Sequence, residues 1–456
     1  MRGSFRRAAL SASALVAVLA VAVFCSLAVS VSPASGPILV LISVDGLRPD
    51  YVTAADAHNA GIPNLRRLLR EGAHAEGVQG VVPTVTYPSH TTLVTGAWPA
   101  KHGILNNLVF DPLRKNQEGW YWYAEDIRVP TLWDAAAQAG MTTASIQWPV
   151  TVGARITWNI PEFWRASTPD DRKLLRVMAT PGLLAELEPS LGPYAGGIDN
   201  SLAADEVRGQ YAVALLEKKH PRLLLLHLAS LDHIEHETGP FSPDSIAILE
   251  GLDPIIGRIR DAAERLAPAA YFAVVSDHGF VSIHHELDLF PVFISAGLLT
   301  LDEKGKVKDW VASPWNCSGS TTVVLKNPSD TAVLARVRAV LDIVKSDPAN
   351  GIDRILDAEE VHARGGFPPV SFFVALKPGW RTGSSLDGPV LREIKHGGTH
   401  GYLPDLPELR AAFFLVGPGV PAGRSLGVID MRDVAPTLAA RLGVPFPSAD
   451  GKNILP

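Results

Sequence analysis

The side chains with the clearest chemical potential in this sequence are acids and imidazoles in four short, widely separated segments. The segments read "SVDG", "LDHIEH", "SDHG" and "GTHG". Carboxylates combined with imidazoles suit zinc, and manganese or iron are further possibilities. The candidate ligands are Asp45, Asp232, His236, Asp277, His278 and His400. Six ligands divide into two groups of three, and a three-ligand site leaves the open position that a catalytic metal needs.

The spacing within the segments is compatible with this chemistry. Asp232 and His236 stand four residues apart, so both face the same side of a helical turn. Asp277 and His278 are adjacent and cannot share a helix face, but both can reach one ion from a tight loop after a strand. Taken singly, each segment has an ordinary interpretation, because an Asp after a strand is usually a turn former or helix cap. Only the joint occurrence of all four segments favours metal binding. Four neighbouring histidines fit the spacing less well and are expected beside the site or on the surface: His233, His284, His285 and His396.

A fifth segment, "TVTYPSHTTLVTG" at residues 84–96, supplies hydroxyl groups at the start of an expected helix. Two metals roughly 3.5–4 Å apart can hold the attacking and leaving oxygens of a phosphoryl displacement. A helix N-terminus favours phosphate through its free N–H groups and its dipole. A threonine hydroxyl is a weak nucleophile unless its pKa is lowered. The segment therefore supplies candidate nucleophiles at the head of a helix, and its spacing alone does not single out one hydroxyl.

The elements that must position these residues alternate between strands and helices. Apolar runs predict strands at 37–46, 142–149, 221–230, 269–279 and 409–419, and helical spacing predicts helices at 62–73, 129–141, 205–220 and 431–443. Such alternation predicts a mainly parallel sheet with helices on both faces. Ligands bind beyond the carboxyl ends of such strands, and Asp45, Asp232 and Asp277 all fall there. Residues 281–395 break the rhythm and are predicted to form an inserted α+β cap between the catalytic parts 37–280 and 396–456.

Composition narrows the possible partners. The chain has 456 residues with 39 Gly and 36 Pro, which indicates a globular, loop-rich protein. Its formal charge of −6 gives no basic field for nucleic acid, so binding of a polyanion by bulk charge is not expected. An anionic substrate would need locally concentrated positive charge, which metal ions supply.

The first 36 residues have the layout of an export signal. Arg2, Arg6 and Arg7 precede an almost purely apolar stretch, which is followed by small residues. The stretch is also long enough for an uncleaved span of about 20 residues. Either way the body is expected to be exported, to a periplasm or as a secreted protein, with membrane contact only if the segment is uncleaved. Because Cys25 lies inside this segment, Cys317 is the only cysteine left and no internal disulfide is expected.

The segments together resemble the nucleotide pyrophosphatase/phosphodiesterase family (type I phosphodiesterases) of the alkaline phosphatase superfamily. The matching text is "LISVDGLRPDY", "PTVTYPSHTTLVTGAWPAKHGI", "LDHIEHETGP", "SDHG", "GTHGY" and "DVAPTLAARLGVPFP". The resemblance covers most of the chain outside the leader and the cap, in the family's order. It implies an alkaline-phosphatase-like three-layer α/β/α sandwich with a mainly parallel central sheet.

The resemblance also assigns roles to single residues. Thr86, rather than Thr84, would be the nucleophile. A first ligand group, Asp45, Asp277 and His278, would hold the zinc that also contacts Thr86, and a second ligand group, Asp232, His236 and His400, would hold the other zinc. Asn107 would hydrogen-bond a nonbridging phosphate oxygen, with Asn106 as the fallback. Tyr87 would pack on the leaving group or base of the substrate, and plain packing is the alternative.

The implied function is an exported two-zinc phosphodiesterase or nucleotide pyrophosphatase that acts through a phospho-threonine intermediate. It would be a monomer with a small phosphodiester or nucleotide substrate. A sulfatase is disfavoured because Thr86 stands where a Cys or Ser is needed and His90 where an Arg is needed. Alkaline phosphatase proper uses a serine and typically an arginine that has no match in these segments. A phosphomonoesterase, a phosphonoacetate-type hydrolase and a non-catalytic exported binding module remain as alternatives.

Overall fold

An eight-stranded sheet forms the centre of the structure, a computed structural model that describes residues 36–116, 119–165, 168–194, 199–366 and 369–456. Its strand order is β19–β2–β18–β7–β1–β6–β4–β5. These strands are β1 (Leu39–Val44), β2 (Ala73–His74), β4 (Thr143–Ile146), β5 (Trp158–Ile160), β6 (Leu223–Leu228), β7 (Tyr271–Val275), β18 (Phe413–Val416) and β19 (Arg424–Ser425). Neighbours pair in parallel except β18, which runs antiparallel to β7 and β2.

The remaining strands form smaller sheets. They are β3 (Gly77–Gln79), β8 (Val281–Leu287), β9 (Leu299–Leu301), β10 (Val307–Trp310), β11 (Ala312–Asn316), β12 (Ser320–Leu325), β13 (Ile352–Asp357), β14 (Phe372–Leu376), β15 (Gly379–Thr382), β16 (Leu391–Glu393), β17 (Gly398–Thr399) and β20 (Val428–Asp430). An antiparallel sheet has the order β11–β12–β14–β13, and β8 pairs with β15, β16 and β17. Strands β9 and β10 pair with each other, as do β3 and β20.

The α-helices cover the sheets. They are α1 (Asp50–Thr53), α2 (Pro63–Glu71), α3 (Thr86–Thr95), α4 (Pro99–His102), α5 (Leu132–Gln138), α6 (Pro169–Met178), α7 (Leu183–Leu191), α8 (Leu202–Lys219), α9 (Ser230–Thr238), α10 (Pro243–Leu266), α11 (Phe290–Ser295), α12 (Thr331–Ser346), α13 (Ala358–Ala363) and α14 (Val434–Leu442). No helix within the described ranges is both long and apolar enough to cross a membrane.

Alternation along the buried strands produces two hydrophobic cores, one on each face of the central sheet. In β1, Val40 and Ile42 pack in the core that also contains side chains of α2, α8 and α10. Leu39 and Leu41 point the other way, into the core that contains side chains of α5 and α14. Because successive side chains of a strand face opposite sides, one six-residue strand serves both layers. This arrangement confirms the predicted three-layer α/β/α sandwich with a mainly parallel sheet.

The positions of the predicted strands and helices agree with the observed ones, apart from trimmed ends. The longest helices that were not predicted are α6, α7 and the 24-residue α10, and the short helices α1, α4, α11 and α13 were not predicted either. The region predicted as a cap contains the antiparallel sheet and α12, and from Pro37 onward the described residues cluster as one compact unit. The domain boundaries at 280 and 395 stay a prediction. The predicted export segment lies outside the described residues, apart from residue 36.

Candidate active site

Three acids meet where β7, β1 and β6 end, because these strands are neighbours in the sheet and point the same way. Asp45 directly follows β1, and Asp277 comes two residues after β7. Asp232 lies in the first turn of α9, which begins two residues after β6. The helical turn predicted for "LDHIEH" is present, so His236 lies on the same side of α9 as Asp232, with 3.5 Å between His236 Nε2 and Asp232 Oδ1.

The two ligand groups named above are each brought together. In the second group, ligand atoms of Asp232, His236 and His400 all lie within 4.8 Å of one another. In the first group, His278 Nε2 lies 3.1 Å from Asp277 Oδ2 and 3.5 Å from Asp45 Oδ1. Asp232 also lies within 4.8 Å of Asp45 and His278, so it stands between the groups. The rings of His278 and His400 stack with centroids 3.7 Å apart.

The chemistry of these donors fits bound cations. Within the part of the chain that the structure describes, the two ligand groups contain three buried carboxylate oxygens without a hydrogen-bond partner: Asp45 Oδ1, Asp232 Oδ1 and Asp277 Oδ2. Burial, followed by the charge of Asp232, raises the pKa of Asp45 well above its usual range. Burial and then Asp45 do the same to the pKa of Asp277. Burial, with neighbouring imidazoles, lowers the pKa of His278. A cluster in which acids resist ionisation and imidazoles stay neutral is stabilised by cations.

Hydrogen bonds orient the imidazoles of the second group. His236 Nδ1 donates to the carbonyl of Gly398 at 3.1 Å, and His400 Nδ1 donates to the carbonyl of Thr84 at 3.1 Å. These bonds leave Nε2 of each ring for a metal, as is usual for ligating histidines. Gly401, next to His400, also donates its N–H to Thr84 O. Its φ of +82° and the carbonyl of Cys317, which a Cβ would meet, account for the glycine in "GTHG".

Thr86 is the first residue of α3 and lies beside the first ligand group. Its Oγ1 is 3.5 Å from His278 Nε2 and 3.4 Å from Asn107 Nδ2. Asn107 is fixed by its other amide atom, since Oδ1 accepts the N–H of Tyr87 at 2.9 Å. Thr84, the other hydroxyl considered, is fully buried and donates to Tyr402 O at 2.9 Å. The geometry thus favours Thr86 as the available hydroxyl and Asn107 as its amide partner.

The remaining candidate residues belong neither to the two ligand groups nor to the contacts of the Thr86 hydroxyl. The amide of Asn106 donates to Asn316 O and Cys317 Sγ, away from Thr86. Tyr87 is fully buried with its ring against Trp120, which supports the packing alternative over a substrate contact. The four histidines expected beside the site or on the surface lie outside the two groups: His233, His284 and His396 are exposed, and His285 stacks on Trp380.

A buried relay behind Asp45 was missed in the sequence. His227 Nε2 lies 2.9 Å from Asp45 Oδ2, and His227 Nδ1 lies 2.6 Å from Glu162 Oε2. His227 is the single polar residue of β6, whose other residues are all leucine. That polar interruption in an apolar strand was the available signal. Glu162 lies in none of the segments considered in the sequence analysis. A second buried histidine, His90, donates to Thr86 O at 2.9 Å and so supports the start of α3.

Comparisons with known proteins identify the family of the chain. Residues 39–403 match the family described as type I phosphodiesterase/nucleotide pyrophosphatase. An uncharacterized pyrophosphatase/phosphodiesterase of Schizosaccharomyces pombe is 28% identical over 247 residues, 53% of this chain. The match spans only 44% of that relative's length. A bis(5'-adenosyl)-triphosphatase of Pongo abelii is 24% identical over 90% of this chain and 79% of its own length.

The fold is shared with a solved structure. Murine ectonucleotide pyrophosphatase/phosphodiesterase 5 aligns with a TM-score of 0.65 at 19% identity, covering 92% of this chain and 98% of that one. The protein in that structure is an inactive variant, in which a threonine is replaced by alanine, in complex with AMP.

Proposed function

Because the chain belongs to the type I phosphodiesterase/nucleotide pyrophosphatase family, we propose that it hydrolyses phosphodiester or phosphoanhydride bonds with Thr86 as nucleophile. The observation that carries the proposal is the position of the Thr86 hydroxyl, 3.5 Å from His278 and at the head of a helix beside two groups of metal-competent ligands. The inactive threonine variant of the murine relative supports the choice of a threonine.

Two zinc ions fit the donor set, one held by the first ligand group together with Thr86 and one by the second. When bound, they would supply the positive charge that lowers the pKa of the Thr86 hydroxyl and neutralises the phosphoryl oxygens. The residues of the chain prepare the rest. The helix dipole at the start of α3 favours the anionic substrate beside Thr86. The amide of Asn107, held by Tyr87, is placed to donate to a nonbridging oxygen as charge builds there.

The reaction proceeds in two displacements. Thr86 Oγ1 forms a bond to phosphorus, its proton passes to solvent, and the bond from phosphorus to the leaving oxygen breaks. The resulting phospho-threonine is then attacked by water. The bond from phosphorus to Thr86 breaks, the hydroxyl regains a proton, and the phosphate product leaves.

Nucleotides are the proposed substrates, since AMP occupies the murine relative and the Pongo relative is named for a dinucleoside triphosphate. A phosphomonoesterase or phosphonoacetate-type hydrolase is the alternative within the superfamily, and a non-catalytic binding module the alternative outside it. We further propose that the chain is an exported monomer, periplasmic or secreted, whose region 281–395 sets substrate choice.

The test compares Thr86→Ala with Thr84→Ala in the zinc-loaded chain. We expect Thr86→Ala to reduce turnover of bis(p-nitrophenyl) phosphate by at least about 10³-fold, as loss of a nucleophile does, with zinc content still near two per chain. Thr84→Ala removes a hydroxyl that only binds Tyr402 and should keep activity. Retained turnover in Thr86→Ala would overturn the assignment. A wild-type chain without zinc and without turnover would favour the binding module.

A kinetic panel separates the enzymatic alternatives. Dinucleotide, aryl phosphodiester, phosphomonoester, glycerophosphodiester and phosphonoacetate substrates are compared by kcat/KM. Diesters and dinucleotides should lead, and a leading monoester or phosphonoacetate would replace the proposed class.

A further inference from the structure

A polar cavity of about 450 Å³ opens beside the second ligand group. His236, a member of that group, and Thr399, which precedes His400, form part of its wall. Residues of β8, β15 and β16 also line it, among them two arginines, Arg381 and Arg392. We call it the arginine cavity. The four segments that carry the candidate metal ligands contain no arginine, so the two arginines of the cavity are additional to them.

The two arginines are aligned by the sheet. Arg381 of β15 and Arg392 of β16 are both registered opposite Glu286 of the central strand β8. The carboxylate of Glu286 accepts from Arg381 Nε at 2.9 Å and from Arg392 NH1 at 3.3 Å. One buried acid therefore holds two guanidinium groups on the same face of the sheet.

The two arginines keep exposed donor groups. Their side chains are 42% and 40% exposed, while that of Glu286 is 10% exposed. Arg381 binds Glu286 through its Nε. Among the described residues, its NH1 and NH2 groups have no hydrogen-bond partner and are free to donate to a ligand. A second acid, Asp288, accepts hydrogen bonds from the backbone N–H groups of Phe290 and Ser385. It also interacts electrostatically with Arg392, so it offsets part of the positive charge, and the free N–H groups of Arg381 are the donors that remain. The wall thus offers planar donors suited to an oxyanion.

The arginine cavity lies beside the second ligand group, and this position indicates which part of the substrate it binds. In an in-line displacement the leaving oxygen is opposite the attacking one, and the two metals stabilise one each. Thr86 lies at the first ligand group, so the leaving oxygen lies towards the second, where His236 borders the arginine cavity. We infer, resting on the proposed function, that the substrate's leaving group carries a second oxyanion, a phosphate or carboxylate, bound by Arg381 and Arg392.

The experiment measures a preference ratio. Three methyl aryl phosphates share the retained methyl phosphate, and their nitrophenol leaving groups have matched acidity but bear no charge, a carboxylate or a phosphonate. The ratio is kcat/KM of each charged substrate over that of the uncharged one. The wild-type chain should favour the charged substrates. Arg381→Met and Arg392→Met, which keep the apolar stem, should each lower the ratio roughly 10- to 100-fold, the effect of one charge-assisted hydrogen bond. The carboxylate and phosphonate arms identify which oxyanion fits.

Two further variants control for structure. Glu286→Gln raises the local charge by one and should raise the ratio, which is the opposite direction from the arginine variants. Arg338→Met removes an exposed arginine of α12 that pairs with Asp342, and should leave both activity and ratio unchanged. A ratio near one in the wild type, or arginine variants that lower only the thermal midpoint, would overturn the inference while the proposed function stands.

Binding of inorganic pyrophosphate to the zinc-loaded chain by calorimetry gives a readout that does not need turnover. Weaker binding in Arg381→Met than in Arg338→Met supports the arginine cavity even if no diester is hydrolysed, and equal binding contradicts it.

Discussion

Replacing His227 with leucine tests the buried relay behind the first ligand group. The other five residues of β6 are all leucine, so the strand and its packing are expected to persist. The change removes the contacts of 2.9 Å to Asp45 and 2.6 Å to Glu162. Two buried carboxylates then lose their shared partner, while Asp45 also loses the bond that orients it.

The expected magnitudes follow from this loss. Leaving each of the two buried carboxylates without its hydrogen-bond partner costs about 1–3 kcal/mol. The entropy of unfolding for a chain of this length is on the order of 1 kcal/mol per kelvin, so the thermal midpoint should fall by about 2–6 °C. Loss of a hydrogen bond behind a metal ligand typically weakens metal binding about 10- to 100-fold. We expect zinc affinity in the first ligand group to drop by that factor.

The assay combines thermal unfolding of the metal-free chain with zinc competition against a chromophoric chelator. His233→Gln, which changes an exposed histidine of α9, is the matched control and should alter neither quantity. The double variant His227→Leu/Glu162→Leu removes the second orphaned acid. It should recover part of the thermal midpoint without recovering zinc affinity, because Asp45 remains unsupported. Zinc affinity in His227→Leu within about twofold of wild type would refute the relay.

Other expected outcomes concern the amide partner, the metals and acid stability. Asn107→Ala should lower kcat by roughly 10²–10³, as removal of an oxyanion donor does, with a small change in thermal midpoint; an unchanged kcat would remove its assigned role. Stripping zinc with a chelator should abolish turnover, and adding zinc at about 100 times its Kd should restore about 2.7 kcal/mol of stability, seen as a reversible shift in thermal midpoint. His102 accepts the N–H of Ile104 at Nδ1, and burial lowers its pKa to about 3, so it stays neutral when folded. Below about pH 6.5 this imidazole therefore binds a proton only in the unfolded chain, which lowers the free energy of unfolding. From pH 7 to 5 the free energy of unfolding should fall by about 2 kcal/mol more in wild type than in His102→Asn, and parallel pH curves would contradict this.

The strand ends and the positions of the candidate ligands could be predicted because each depends on local sequence, while the roles of the ligands stay a prediction. An apolar run that stops at an acid, as at Asp45 and Asp277, places that acid at the edge of a parallel sheet whatever the rest of the chain does. The spacing of Asp232 and His236 likewise needs only one helical turn. Assignment of the hydroxyl to Thr86 needed the family resemblance, since nothing local distinguishes it from Thr84.

Contacts set by distant pairing could not be predicted in this way. Helix α10 was missed because Gly251, Pro254 and Gly257 suggest breaks in the helix. The structure gives Gly257 a packing reason, since a Cβ there would lie 2.7 Å from the side chain of Asn64. Arg381 and Arg392 lie on either side of Glu286 because of the register of β15 and β16 against β8. No single segment of the sequence specifies that register.

The carbonyl of Thr84 accepts hydrogen bonds from both His400 and Gly401, although more than three hundred residues separate them in the chain. During synthesis from the N-terminus, Thr86, the proposed nucleophile, is made early, and the neighbouring carbonyl of Thr84 stays without this anchor until His400 and Gly401 have been synthesised and have docked. From the proposed function we therefore expect the maturing polypeptide to acquire hydrolytic activity last, and a product that stops before His400 to lack it.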